Sequence, residues 1–184
     1  MTFRRIGIAA LSAMASMGAS GAAPSDPGGS GPEARLKEMG LTLPPPATPV
    51  ANYVEAVRTG NLLFLAGHGP CGTLDESVTG KVGADRTVEQ GYEAAKKTAL
   101  CLISTLKAEL GDLGRVKRIV RVFGMVNAES SFTQHSKVIN GCSDLLVAVF
   151  GERGKHARAA VGMGSLPANM MVEIEMVVEV EGGS

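Results

Sequence analysis

Residues 156–180 read HARAAVGMGSLPANMMVEIEMVVEV, and how this stretch is read decides the fold. Its second half alternates: Val172, Ile174, Met176, Val178 and Val180 fall on one side, and Met171, Glu173, Glu175, Val177 and Glu179 on the other. A period of two in a run rich in β-branched residues predicts a strand with one buried face, spanning Met170 to Val180. Ala157 to Met163 reads as a second strand, joined to the first by a Gly-Ser-Leu-Pro-Ala-Asn connection. Arg158 stands there as a lone cation among small residues. It either pairs with the glutamates on a sheet surface or holds a carboxylate ligand. Within its strand Ala157, Ala159, Val161 and Met163 share one face, and Arg158, Ala160 and Gly162 share the other. If the apolar sets of the two strands lie together under helices, Arg158 joins Glu173 on the open face. Ala160 and Gly162 would then leave room beside the guanidinium.

Two amphipathic helices are predicted upstream. Thr87 and Gln90 form a capping box for a helix ending at about Leu110 before Gly111. Its apolar stripe runs through Val88, Tyr92, Ala95, Ala99, Leu102, Ile103, Leu106 and Leu110. Cys101 falls off that stripe and reads as an exposed thiol. Ser131 and Gln134 predict a second capping box, for a helix from Phe132 to Phe150 whose stripe includes Val138, Ile139, Cys142, Leu145, Leu146 and Val149. Cys142 therefore belongs to the core. Between the helices, residues 116–127 read as a strand. Earlier, residues 51–67 form a hairpin around Thr59-Gly60-Asn61, and PEARLKEMG forms a short helix closed by Gly40. Two one-faced helices cover one side of the sheet and leave the other bare.

The N-terminus has the layout of a secretory signal peptide, with Arg4-Arg5, an apolar run from Ile6 to about Ala15, and small residues up to Ala22 or Ala23. The expected organisation is a signal peptide over 1–22, a Pro/Gly/Ser linker over 23–32 and one domain over 33–184, with the mature protein periplasmic or secreted and free of the membrane. The whole chain carries 18 basic and 18 acidic residues. Removal of Arg4 and Arg5 leaves the mature chain slightly acidic, with no Trp and two Tyr, which argues against nucleic acid as a partner. Three cysteines, Cys71, Cys101 and Cys142, leave at least one thiol free or paired between chains. His68 and Cys71 form an isolated H-x-x-C, and His135 and His156 have no partners at ligand spacing, so no metal is expected.

Four separated motifs, in order, resemble the RidA family (reactive intermediate deaminases, also called YjgF or L-PSP endoribonucleases). They are Tyr53 with Gly60-Asn61-Leu62; Ala66-Gly67 followed by Pro70; Asn127 ending a strand; and Arg158 with Leu166-Pro167 and Val172-Glu173-Ile174-Glu175. The resemblance implies an α+β, chorismate-mutase-like mixed sheet with two helices packed on one face. It also implies a homotrimer with a cleft at each subunit boundary and no cofactor. The implied reaction is hydrolysis of 2-imino or enamine acids to 2-keto acids and ammonia. Arg158 would hold the substrate carboxylate and Glu173 would position water or pass protons. Tyr53, Gly67, Ala160 and Asn127 would complete the pocket. Ala160 stands where the family usually has Cys, and Ala66-Gly67-His68 where it often has Ser-Gly-Gln. His68 then reads as a polar wall, a proton carrier or an ordinary loop histidine. A non-catalytic carboxylate binder and a holdase-type chaperone are the alternative functions.

Overall fold

The computed structural model describes residues 30–46, 48–49 and 51–182; the expected signal peptide and most of the linker lie outside them. The chain forms α1 (Pro32–Glu38), β1 (Ala56–Thr59), β2 (Leu62–His68), α2 (Val88–Leu110), β3 (Val116–Asn127), α3 (His135–Phe150), β4 (Ala157–Met163) and β5 (Val172–Val180). The strands make one mixed sheet in the order β1-β2-β5-β3-β4. All pairs are antiparallel except β3 with β4, which are parallel around the α3 crossover.

α2 begins as the sequence predicts. The Thr87 hydroxyl accepts from the Gln90 amide, and the Gln90 side chain accepts from the Thr87 amide. Gly111 ends the helix at φ 72°, in the left-handed region that favours glycine. α3 begins later than expected. Ser131 donates to Glu129 instead of capping, and Gln134 makes no side-chain cap bond, so the helix opens at His135.

Both helices lie on one face, over Val122, Val126, Val172, Ile174, Met176, Val178 and Val180, all buried. They meet closely at Gly141. A methyl group there would collide with the Tyr92 carbonyl of α2, so glycine sets the helix–helix distance. α2 is buried well beyond its stripe: Thr98, Cys101, Ser104 and Thr105 are also enclosed. The segment before β1 and the loop after β2 cover that side. Ser104 donates to the Pro44 carbonyl, and Cys101 is joined to Cys71 by a disulfide with Cα atoms 5.7 Å apart. Cys101 is therefore not the exposed thiol the sequence predicts. Cys142 is the free cysteine of the described residues, buried as expected, its thiol pushed up to about 12 by loss of solvation.

No helix among the described residues covers the opposite face of the sheet. Val57, Phe64 and Val177 run across it in one row, with Val57 55% and Phe64 44% exposed.

One expectation about that face is overturned. Arg158 pairs with Val122, which in turn pairs with Met176, both under the helices. Glu173 pairs with Met125, which pairs with Val161, in a row on the bare face. Arg158 and Glu173 thus lie on opposite faces of the sheet. The apolar parity of residues 157–163 misleads because β4 is an edge strand, where Ala159 and Val161 are only half-buried. What fixes the face of β4 is α3, which offers the Asn140 and Ser143 side chains and the Ser136 carbonyl to Arg158 beside its apolar stripe.

Candidate functional site

The site grows from a single irregularity in β2. Leu65 pairs with Met176 but His68 pairs with Ile174, so three steps on β2 match two on β5. This bulge at Ala66-Gly67 reverses the parity of the residues beyond it. His68 turns under the helices, 3% exposed, although plain alternation from Leu63 and Leu65 would place it on the bare face. Gly67 is left against Glu173, and a methyl group on it would strike the Glu173 carboxylate. Glycine here lets the side chain lie across the backbone.

Around this point is a cavity of about 670 Å³. Tyr53, Glu55, Gly67, His68 and Glu173 line its polar end; Pro44, Pro70, Leu74, Met170 and the disulfide-bonded Cys71 line the rest. Tyr53 stands at it 45% exposed. The Glu173 carboxyl is held above the usual carboxylate range, first by burial and then by the Glu175 charge, against an opposing effect of His68.

A raised value means that the fold favours the protonated form. Stability tied to it is complete below the ordinary carboxylate value and is lost as pH rises through the elevated one. Glu173→Gln should therefore melt above wild type at pH 8, with the gap closing as pH falls into the ordinary carboxylate range. Thermal melts across that interval check the sign; a glutamine variant melting lower at pH 8 would refute it.

The second half of the site is Arg158. Its Nη1 donates to Asn140 Oδ1 and to Ser143 Oγ, both at 2.9 Å, and its Nη2 to the Ser136 carbonyl at 3.4 Å. No carboxylate pairs with it among the described residues. The glutamates of β5 therefore do not answer this cation. Of its five N–H groups three are used, and one on Nε and one on Nη2 make no hydrogen bond among the described residues. Ser143 also faces His156 Nε2 at 3.0 Å, and the His156 imidazole is held below its usual value by burial, with the Arg158 charge adding to the effect.

The sequence-predicted residues thus fall into groups. Tyr53, Gly67 and Glu173 come together in the cavity. Arg158 and Ala160 lie on the other face, Ala160 packed against the core. Asn127 is in neither group: it is 1% exposed, and its Nδ2 donates to the Gly80 carbonyl and to Asn169 Oδ1, tying the 78–83 loop to the β4–β5 turn. Glu55 was not singled out by sequence, although its position two residues after Tyr53 was a usable signal. Among the described residues no three His, Cys, Asp or Glu side chains are placed to hold a metal ion, and no helix is long and apolar enough to cross a membrane.

A mixed sheet with helices on one face is the architecture of chorismate-mutase-like proteins. Residues 33–180 match the family model described as "YjgF/chorismate mutase-like, putative endoribonuclease", and the chain belongs to this family. It is 45% identical over 147 residues to Protein TCP17 of Trypanosoma cruzi, covering 79% of this chain and 92% of that one. It is also similar to the solved structure of protein Atu1372 from Agrobacterium tumefaciens, of unknown function, at 44% identity and a TM-score of 0.76, covering 82% of this chain and 92% of that one. A 2-iminobutanoate/2-iminopropanoate deaminase of Dermatophagoides farinae is 26% identical over 142 residues, covering 77% of this chain and 95% of that one.

Proposed function

We propose that the protein hydrolyses 2-imino or enamine acids to 2-keto acids and ammonia, in clefts between copies of the chain. The observation that carries this reading is an arginine that, among the described residues, has no carboxylate partner and is held by neutral acceptors with two N–H groups to spare. Such a group fits a substrate carboxylate bidentately. The cavity supplies the complementary chemistry. Glu173, poised by burial toward protonation, suits the proton transfers that accompany water attack on a C=N carbon. The likeness to a 2-iminobutanoate/2-iminopropanoate deaminase supports the same reaction class.

Arg158 and Glu173 lie on opposite faces of one sheet, and side chains on opposite faces point apart. One small substrate reaches both only if Arg158 comes from one copy and Glu173 from the next. The bare face, with its exposed apolar row, supports burial against neighbouring copies, and a closed trimer is the assembly we favour. Arg158 and Glu173 carry the chemistry; Tyr53, Gly67 and Ala160 shape the cleft, and Asn127 holds the turn leading to β5. We place the mature protein in the periplasm or outside the cell, on the strength of the N-terminal pattern.

The test is subunit mixing. Wild type should accelerate ammonia release from 2-iminopropanoate generated in situ by an amino-acid oxidase. Arg158→Ala and Glu173→Gln should each be nearly inactive. Co-refolded in equal amounts, they should recover about a quarter of wild-type activity, because random assembly leaves that share of heterologous sites with both native halves. No recovery on mixing would place both groups in one subunit's site. No acceleration by wild type across several imino acids would refute deaminase activity; in that event, ligand-induced stabilisation that disappears in Arg158→Ala would mark a carboxylate binder. Suppression of client aggregation regardless of Arg158 would mark a holdase.

A further inference from the structure

The cavity around Gly67 is far larger than the reacting atoms of an imino acid require. At about 670 Å³ it falls in the range, about 300–1,000 Å³, that encloses drug-sized ligands. Its parts differ in chemistry. Glu55 and Glu173 stand at one end and no Lys or Arg lines it, while the rest is walled by Pro44, Pro45, Pro46, Pro70, Leu74 and Met170. That apolar wall is fixed from behind by α2. Cys101 and Ser104, both buried and one turn apart, hold it at two points: Cys101 through the disulfide to Cys71, and Ser104 by donating to the Pro44 carbonyl. Prolines have little backbone freedom to lose, so the wall stands before any ligand arrives. Met170 closes in over Gly69, where a methyl group would strike its sulfur.

We propose that this apolar wall receives the substrate's side chain, and that the protein prefers 2-imino acids with large apolar side chains, branched or aromatic, over those of three or four carbons. The proposal rests on the deaminase reading and names the substrate class of that site. The C=N carbon of an imino acid carries a carboxylate, a nitrogen and a side chain, and the cavity sorts them. Two acidic side chains with no basic one repel a carboxylate, so that group stays with the arginine of the neighbouring copy. The nitrogen, cationic when protonated, suits the Glu173 end. The side chain is left to enter the remaining space. A methyl group there would touch little of the wall, whereas an isobutyl or benzyl group would displace water from it. Each additional buried carbon strengthens binding by about fourfold. The same acidic end disfavours a side chain that carries its own carboxylate.

The test is a side-chain series on the full chain, each imino acid being generated in situ by an amino-acid oxidase. From the alanine-derived to the leucine-derived compound, kcat/KM should rise about 50-fold, and it should stay high for the phenylalanine-derived one. The glutamate-derived compound, similar in length to the leucine-derived one but charged, should react no faster than the alanine-derived. Leu74 is 44% exposed, so Leu74→Asp should keep the fold, as a thermal melt will show. It should cut the leucine-over-alanine preference by about fivefold or more. A flat series, or a preference unchanged in a folded Leu74→Asp protein, overturns the proposal. Binding gives a readout independent of turnover. Calorimetry with the 2-keto products should show 4-methyl-2-oxopentanoate held about tenfold tighter than pyruvate or better. If wild type turns over no imino acid, the deaminase reading fails by itself. Tighter binding of the larger keto acid then still supports the preference of the cavity, and equal affinities overturn it.

Discussion

Arg158→Lys should reduce kcat/KM toward 2-imino acids by about two orders of magnitude while leaving the fold intact. Lysine keeps the charge and much of the stem, so a purely electrostatic role would survive the change. A planar fork would not. In the native protein Asn140 and Ser143 hold Nη1, and this fixes the plane in which the remaining Nε and Nη2 hydrogens can meet two carboxylate oxygens. An ammonium offers one directional bond to a ligand and at most a partial bond to its former partners. Replacing a bidentate charge-assisted pair by a single contact costs about 2–3 kcal/mol, which corresponds to that drop in rate. The measurement is steady-state kinetics beside a thermal melt. Unchanged kcat/KM with an unchanged melting temperature would mean that Arg158 serves only α3.

Gly141→Ala should destabilise the protein by about 3 kcal/mol, near the upper end of what overpacking costs. The added methyl would meet the backbone carbonyl of Tyr92, with the Lys96 backbone nitrogen beside it. A flexible side chain could swing away from such a clash, but a backbone within a helix cannot, so α2 and α3 must separate. Every residue layered between them and the sheet would lose contact, including the buried Ile139, Leu146, Leu102 and Leu106. Denaturant unfolding checks the magnitude. Gly164→Ala is a fair control, because nothing lies within 4 Å of the position its methyl would occupy.

The parts of this fold that were legible in sequence are those governed by local chemistry. The Thr87–Gln90 cap, the alternation of β5, the Gly60-Asn61 hairpin and the bounds of β4 each arise from residues close together in the chain. The apolar set of β5 does face the helices, as its pattern requires. The illegible parts depended on partners distant in sequence. The face of β4 is decided by polar groups on α3, since its own alanines and valine have too little burial to declare a side. The Ser131–Gln134 pair has the spacing of a cap, but Ser131 finds Glu129 nearer. Cys101 looked solvent-facing on a helical wheel because the wheel knows nothing of the loop that brings Cys71 over it. His68 lies beyond a bulge, and no periodicity argument survives an extra residue in the ladder. In the candidate site, the family resemblance groups Tyr53, Gly67 and Glu173 with Arg158, Ala160 and Asn127. Only the first three line one cavity, Tyr53 from the segment before β1, Gly67 on β2 and Glu173 on β5; the Glu55–His68 contact emerges only in three dimensions.

The cradle around Arg158 has a consequence for how the protein meets changes in its surroundings. Asn140 and Ser143 do not titrate, and His156, third along the chain of bonds through Ser143, is disposed by burial toward its uncharged form. The surroundings of the guanidinium thus change little with acidity, while the cavity around Glu173, whose carboxyl is raised by burial, does respond. On the proposed reading, hold on a substrate carboxylate would stay steady as pH changes, and only the speed of conversion would follow it.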